Sequence, residues 1–314
     1  MVLDHLASGV RRVVTTLAVA LAWTGTHGET RAQDADAAAI ERGAYVFNTS
    51  GGCSCHTDVK NDGAHLAGGR ALVTPFGTFY SPNITPDPET GIGAWNDAGF
   101  IRAMREGVSP AGEHYYPAFP YPAFTGMTDQ DLLDLKAYLF TLPAVSRSNE
   151  DHELDLPFAW RFMVGAWKFL NFESGPFVPD PDRDAAWNRG AYLVGSVAHC
   201  GECHTPRDML GGLDRDLWLA GTTAGPEGGG VPNITPDPET GIGAWSDSAI
   251  RSVLARGMLP DGDFVGGAMA EAGEGFKHLT DSDLDAIVAY LRAVPPVVNR
   301  IGKPPPAKTS NEWE

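Results

Sequence analysis

Cysteine is scarce in this chain: four residues among 314, all confined to two short segments. In an exported protein four thiols would ordinarily suggest two disulfides. Structural zinc would need ligands gathered from both segments, without flanking pairs at finger-like spacing. Positive charge is also in deficit. With 23 Lys and Arg against 40 Asp and Glu, the formal net charge is −17. An acidic surface argues against nucleic acid and anionic lipid as partners. Sustained apolar–polar alternation is missing, so no sheet is expected. No stretch after the N-terminus reaches membrane-spanning length, and the tail 298–314 is polar and Pro-rich with no anchor.

Residues 1–32 read as a secretory signal. Arg11-Arg12 starts it, residues 13–23 supply the apolar stretch, and Thr30-Arg31-Ala32 is the expected cleavage site. Export and a periplasmic location follow as expectations. Loss of this segment, with its three arginines and two acids, leaves the remainder near −18.

The thiols are placed for a specific chemistry. Cys200-Gly201-Glu202-Cys203-His204 puts two cysteines three residues apart, with an imidazole directly after. This is the pattern of c-type haem attachment. Cys200 and Cys203 share one helical turn and can each form a thioether to a haem vinyl group, with His204 beneath the iron. A second copy, Gly52-Cys53-Ser54-Cys55-His56-Thr57, lies 148 residues earlier, counted between the histidines. Two haem c groups with iron are therefore expected. The first copy is one residue short. Arg42-Gly43-Ala44-Tyr45 and Cys53 match Arg189-Gly190-Ala191-Tyr192 and Cys200 at an offset of 147, while Cys55 and His56 match at 148. The missing residue falls between the thiols. Residues two apart face different sides of a helix. Either the backbone there is not helical, or one thioether forms, at Cys55.

The duplication extends along the chain. Residues 82–95, Pro-Asn-Ile-Thr-Pro-Asp-Pro-Glu-Thr-Gly-Ile-Gly-Ala-Trp, recur unchanged at 232–245. Thr128-Asp129-Gln130-Asp131 and Thr280-Asp281-Ser282-Asp283 both open final helices with capping-box-like starts. Pro143 and Pro295 stop them. Middle helices are expected near 97–106 and 247–256. Each half then runs N-terminal helix, haem turn, Pro/Gly-rich loop, middle helix, final helix. The expected fold is all-α, two tandem class I cytochrome c domains at 36–145 and 184–297. They flank a linker, 146–183, whose apolar stretch 156–172 predicts a buried packing helix. A docking element for a partner, or for peripheral membrane association, is the alternative.

Iron needs a sixth ligand, often Met in electron carriers. The loop before the final helix should supply it. Met269 is the choice in the second half and Met258 the runner-up, while Met209 lies too near the attachment turn. In the first half Phe119 aligns with Met269, so Met127 is favoured, with His114 as a polar alternative and an open iron as a third. The repeated loops read first as turn-rich scaffold. A sharper reading has Trp95 and Trp245 shielding the haem edges and Arg70 neutralising a propionate.

These motifs, with Tyr116-Pro117-Ala118-Phe119-Pro120-Tyr121 and the final helices, resemble the cytochrome c subunits of bacterial periplasmic alcohol, gluconate and sugar dehydrogenases. The resemblance covers nearly all of 37–297. It implies His/Met-ligated haem c, a periplasmic dehydrogenase as electron donor and a respiratory-chain acceptor. Several such subunits carry three haems, whereas two attachment sites occur here. A dihaem enzyme, a peroxidase or an oxidant of sulfur compounds working at an open first haem, stands as the alternative.

Overall fold

The computed structural model describes residues 36–225 and 229–302. The signal read at 1–32 and most of the polar tail lie outside the described residues. The chain is mostly helical, and its helices recur in the same order in both halves.

The first half opens with helix α1, residues 36–49. A 3-10 turn at Gly51–His56 carries the first cysteines. Strands β1 (Ala71–Thr74) and β2 (Gly77–Tyr80) follow, then α2 (Asp97–Glu106), the short α3 (Tyr121–Phe124) and α4 (Asp129–Leu139). In the linker come β3 (Glu153–Leu154) and α5 (Met163–Asn171). The second half repeats the plan with α6 (Ala185–Tyr192, extended by a π-turn at Leu193–Val197), α7 (Cys200–His204), α8 (Asp247–Arg256), α9 (Gly267–Phe276) and α10 (Asp281–Ala293).

Local chemistry sets these boundaries. Asn96 caps α2 by accepting from the Gly99 amide, and Gly107 ends the helix in the left-handed conformation at φ 59°. Ser246 and Gly257 do the same for α8. Thr128 and Thr280 accept from the amides of Asp131 and Asp283 at the starts of α4 and α10. In each half the first helix crosses the last at a glycine. A Cβ on Gly43 would lie 1.9 Å from the Asp134 carbonyl oxygen, and one on Gly190 would lie 2.0 Å from that of Ala286. Only glycine permits backbones this close.

The expected all-α fold needs one correction. β1, β2 and β3 form a small antiparallel sheet, with Ala71 opposite Tyr80 and Gly77 opposite Leu154. Its strands are too short to register as sustained alternation, and β3 comes from the linker. The expected buried packing helix at 156–172 is also corrected. Its helical part is only α5, where Val164 and Lys168, four residues apart, are the buried positions. One contact per turn makes a narrow stripe, so most of the segment's apolar side chains face outward.

The halves pack reciprocally. α9 lies against the Gly51–His56 turn, and α3 lies against the Leu193–Val197 turn. The apolar core runs through both halves, from Val46 and Phe47 through Met127 and Leu135 to Val194, Phe276 and Leu291. No helix among the described residues is long and apolar enough to cross a membrane.

Candidate functional site

In the second half Cys200, Cys203 and His204 share α7, one helical turn introduced by His199 in the left-handed conformation (φ 42°, ψ 39°). His204 is buried, and its Nδ1 lies 2.8 Å from the carbonyl oxygen of Pro232. A carbonyl only accepts, so Nδ1 carries the proton and Nε2 keeps its lone pair. Burial pushes the imidazole below its usual range, outweighing that hydrogen bond, and favours the neutral form that ligates metal. The first half repeats the arrangement: His56 Nδ1 lies 2.8 Å from the Pro82 carbonyl oxygen, and burial lowers this pKa too. Each histidine's own carbonyl is fixed as well, accepting from Gly68 (2.8 Å) and Gly221 (2.7 Å).

The two proline carbonyls are held by asparagines. Asn83 is almost fully buried; its Nδ2 donates to Val145 O at 2.7 Å and to Thr90 Oγ1 at 3.0 Å. Its Oδ1 accepts from both the amide and the hydroxyl of Thr85, at 2.9 and 2.8 Å. Asn233 repeats every bond, to Val297 O, Thr240 and Thr235. The 14-residue repeat thus fixes the orientation of the two histidines through Pro82 and Pro232. Sequence reasoning missed these residues. The verbatim repetition was the available signal, but the working atom is a backbone carbonyl.

The first attachment turn is not a regular helix. Gly52 (φ 67°, ψ 18°) and Cys53 (φ 51°, ψ 34°) are left-handed within a 3-10 turn. Among the described residues no disulfide joins the four cysteines, and no three His, Cys, Asp or Glu side chains converge as a metal cluster. Burial keeps three of the thiols protonated, pushing Cys53 up to about 11, Cys203 to about 11 and Cys200 to about 12. After burial, the next contribution at Cys203 comes from Cys55 of the other turn.

The other expected residues are placed as follows. Met269 lies in the first turn of α9 rather than in a loop, half-buried against the core. Met127 is fully buried just before the α4 cap, where Leu279 precedes the α10 cap. Phe119 packs among Tyr115, Tyr121 and Phe124, with ring centroids 5.6 to 6.3 Å apart. His114 turns toward the linker, its Nδ1 3.0 Å from Lys168 Nζ. Trp95 and Trp245 pack against the core at equivalent positions. Arg70 is 5 % exposed and pairs with Glu271 of α9 through two bonds, at 2.5 and 3.2 Å, while its Nη1 reaches Ser54 O at 3.5 Å. In this structure its guanidinium thus ties the first attachment turn to α9.

Paired thiols beside an imidazole whose Nδ1 is capped and whose Nε2 is free form a donor set suited to haem c. A sequence model of the cytochrome c family matches residues 188–295. The chain is 44 % identical over 261 residues to the "Diheme cytochrome c-type" protein of Cereibacter sphaeroides, covering 82 % of this chain and 86 % of that protein. It is 41 % identical to the fructose dehydrogenase cytochrome subunit of Gluconobacter japonicus, covering 82 % of this chain and 52 % of the subunit. It is 36 % identical to the cytochrome c subunit of the quinone alcohol dehydrogenase of Komagataeibacter europaeus, covering 84 % and 58 %. The chain spans little more than half the length of those two dehydrogenase subunits. It belongs to the dihaem c-type cytochromes. It carries two haem c groups, whose iron supplies one-electron redox chemistry, and its activity is electron transfer.

Proposed function

We propose that this chain is a periplasmic carrier, exported by residues 1–32, that takes single electrons from a dehydrogenase and passes them toward the respiratory chain. Residues 36–145 and 184–297 act as tandem class I cytochrome c domains. Thioethers join haem to Cys200 and Cys203 in the second and to Cys55, with Cys53, in the first. His204 with Met269, and His56 with Met127, are the axial pairs. The observation that carries the reading is the repeated clamp on the histidines, His56 on the Pro82 carbonyl and His204 on the Pro232 carbonyl, each at 2.8 Å. It orients two imidazoles alike, each next to its own thiols. The names of the similar dehydrogenase subunits support the donor class.

The test is expression in a host competent in cytochrome maturation, followed by a pyridine haemochrome assay and intact mass. Two haems per chain and rapid reduction by a purified sugar or alcohol dehydrogenase are expected. A colourless protein, or one haem per chain, overturns the reading. Carbon monoxide separates the carrier from a dihaem enzyme. With Met127 fully buried and aromatic rings at Phe119, the reduced protein should bind little of it at either haem.

A further inference from the structure

The linker carries its apolar side chains on the outside. Leu156, Trp160, Phe162, Phe169 and Leu170 are 68, 51, 78, 90 and 69 % exposed. Surface residues this apolar and this close together mark an interaction site. The segment's cations are committed elsewhere. Lys168 is buried and donates to the carbonyls of Glu106 and Gly107 at the end of α2, at 2.5 and 2.7 Å. Arg161 donates to the His114 carbonyl at 3.0 Å and lies over the Tyr116 ring. At Lys168 the usual arrangement is inverted: its ammonium is turned to the protein, while the Phe169 ring and the Leu170 side chain beside it face outside.

The patch continues onto the second half. Trp167 Nε1 donates to Leu210 O at 2.8 Å, and next to it Met209 is 92 % and Leu210 54 % exposed. A cleft of about 520 Å³ joins the two pieces, between Phe169 and Leu170 on one side and Arg207 and Leu213 on the other. Arg207 is ion-paired with Glu202, inside the Cys200–His204 turn. The apolar surface therefore reaches the second attachment turn.

Its charge selects the occupant. Asp151, Glu153, Asp155 and Glu173 are exposed at the two ends of the segment, on a chain of net charge −17. An anionic bilayer is repelled by such a rim, and Lys168, buried on the carbonyls of Glu106 and Gly107, is not offered to lipid headgroups. A protein face with an apolar centre and a Lys/Arg rim is complementary. We propose that this surface docks the electron-donating dehydrogenase, and that electrons reach the second haem first. The proposal rests on the donor reading above and adds its docking face and order of transfer.

The test uses the full-length, haem-loaded chain and a dehydrogenase that reduces it. The variant Phe162→Ser/Phe169→Ser/Leu170→Ser should raise KM for reduction by the dehydrogenase at least tenfold, as loss of central apolar anchors does. Its visible spectrum and its rate of reduction by dithionite should not change. A photo-cross-linking residue at Phe169 or Leu210 should capture the dehydrogenase. One at Val59, exposed beside the first attachment turn, should not. An unchanged KM, or capture at Val59 alone, overturns the proposal. So does wild-type binding to phosphatidylglycerol vesicles, or a wild-type dimer, that the triple variant abolishes. A wild type that no dehydrogenase reduces defeats the donor reading itself, and this proposal with it.

Discussion

Tyr45 on α1 donates its phenol to Asp283 on α10 at 2.6 Å, and the equivalent Tyr192 on α6 donates to the equivalent Asp131 on α4. Each tyrosine belongs to one half and each aspartate to the other. Both phenol oxygens also accept an amide of the opposite cap, Thr280 N at 3.2 Å for Tyr45 and Thr128 N at 3.1 Å for Tyr192. The contact is self-complementary in the manner of a two-fold dimer, within one chain. Burial raises the Asp283 pKa, but the bonds from Arg189 and Tyr45 outweigh it and leave the carboxylate below its ordinary value. Tyr45→Phe and Tyr192→Phe should each cost about 1–2 kcal/mol, because each removes a hydrogen bond to a charged group. The two sites share Arg189, which pairs with Asp283 and lies over the Tyr192 ring, so the double variant should depart from additivity. Denaturant melts of the single and double variants, followed at the haem bands, check this.

The helix crossings make a sharper prediction. Gly43→Ala and Gly190→Ala would each drive a methyl to about 2 Å from a backbone carbonyl oxygen on the last helix of the same half. The helices must separate, at a cost of roughly 3 kcal/mol or more by analogy with overpacked cores. Yield of haem-loaded protein should fall steeply for both, with Gly43→Ala opening the first half and Gly190→Ala the second. A melting temperature within a degree of wild type for either variant would refute the crossing.

Much of this was legible in the sequence. Both middle helices and the threonine caps followed from spacing and local side-chain chemistry, which act over a few residues. The deletion between Cys53 and Cys55 left two outcomes open, a non-helical backbone or a single thioether, and the left-handed Gly52 and Cys53 answer to the first. What escaped has a common cause. The histidine clamp works through backbone carbonyls, which no residue type advertises. The linker's composition showed that it is apolar, yet not which face would be turned inward, because Lys168 inverts the pattern by capping α2. The hairpin of β1 and β2 was too brief to stand out, and its third strand comes from more than 70 residues away.

The axial ligands can be tested one half at a time. Met269→Ala should convert only the second haem from six-coordinate low spin to a form that binds carbon monoxide, and lower its potential as a strong axial thioether is lost. Met127→Leu, the residue that the second half has at that position as Leu279, should preserve packing and remove only the sulfur. It should open the first haem alone. Magnetic circular dichroism and carbon monoxide titration distinguish the two. If Met127→Leu leaves both haems low spin, Met127 is core filler and another group closes the first iron.

Asn83→Ala removes five hydrogen bonds from a side chain that is 2 % exposed. Buried groups left without partners are costly, and a loss of about 2–4 kcal/mol is expected on that basis. The readout that separates this from ordinary destabilisation is spectroscopic. A slackened Pro82 carbonyl no longer fixes the His56 tautomer, so the proximal signals of the first haem should broaden or shift while those of the second stay sharp. Asn233→Ala should give the mirror result.

Lys168 gives the chain a distinctive alkaline response. Burial, the largest effect, pulls its ammonium down to about 8 from the ordinary 10.5, even though Glu106 raises it. In the folded state the group therefore gives up its proton earlier than in the unfolded state. Between about pH 8 and 10 the unfolded chain binds more protons, so stability rises with pH across that window. Each pH unit is worth up to about 1.4 kcal/mol, so the gain is on the order of 2 kcal/mol. Above pH 10 the sign reverses, because burial holds Tyr115 near 12 and raises Tyr121 and Tyr192 also, so the unfolded state loses those protons first. Wild type should thus be most stable near pH 10. Lys168→Met removes the rising limb and leaves the falling one. Urea midpoints measured from pH 7 to 11 for both proteins decide it: parallel curves below pH 10 would show that Lys168 titrates normally and is not held inside the fold.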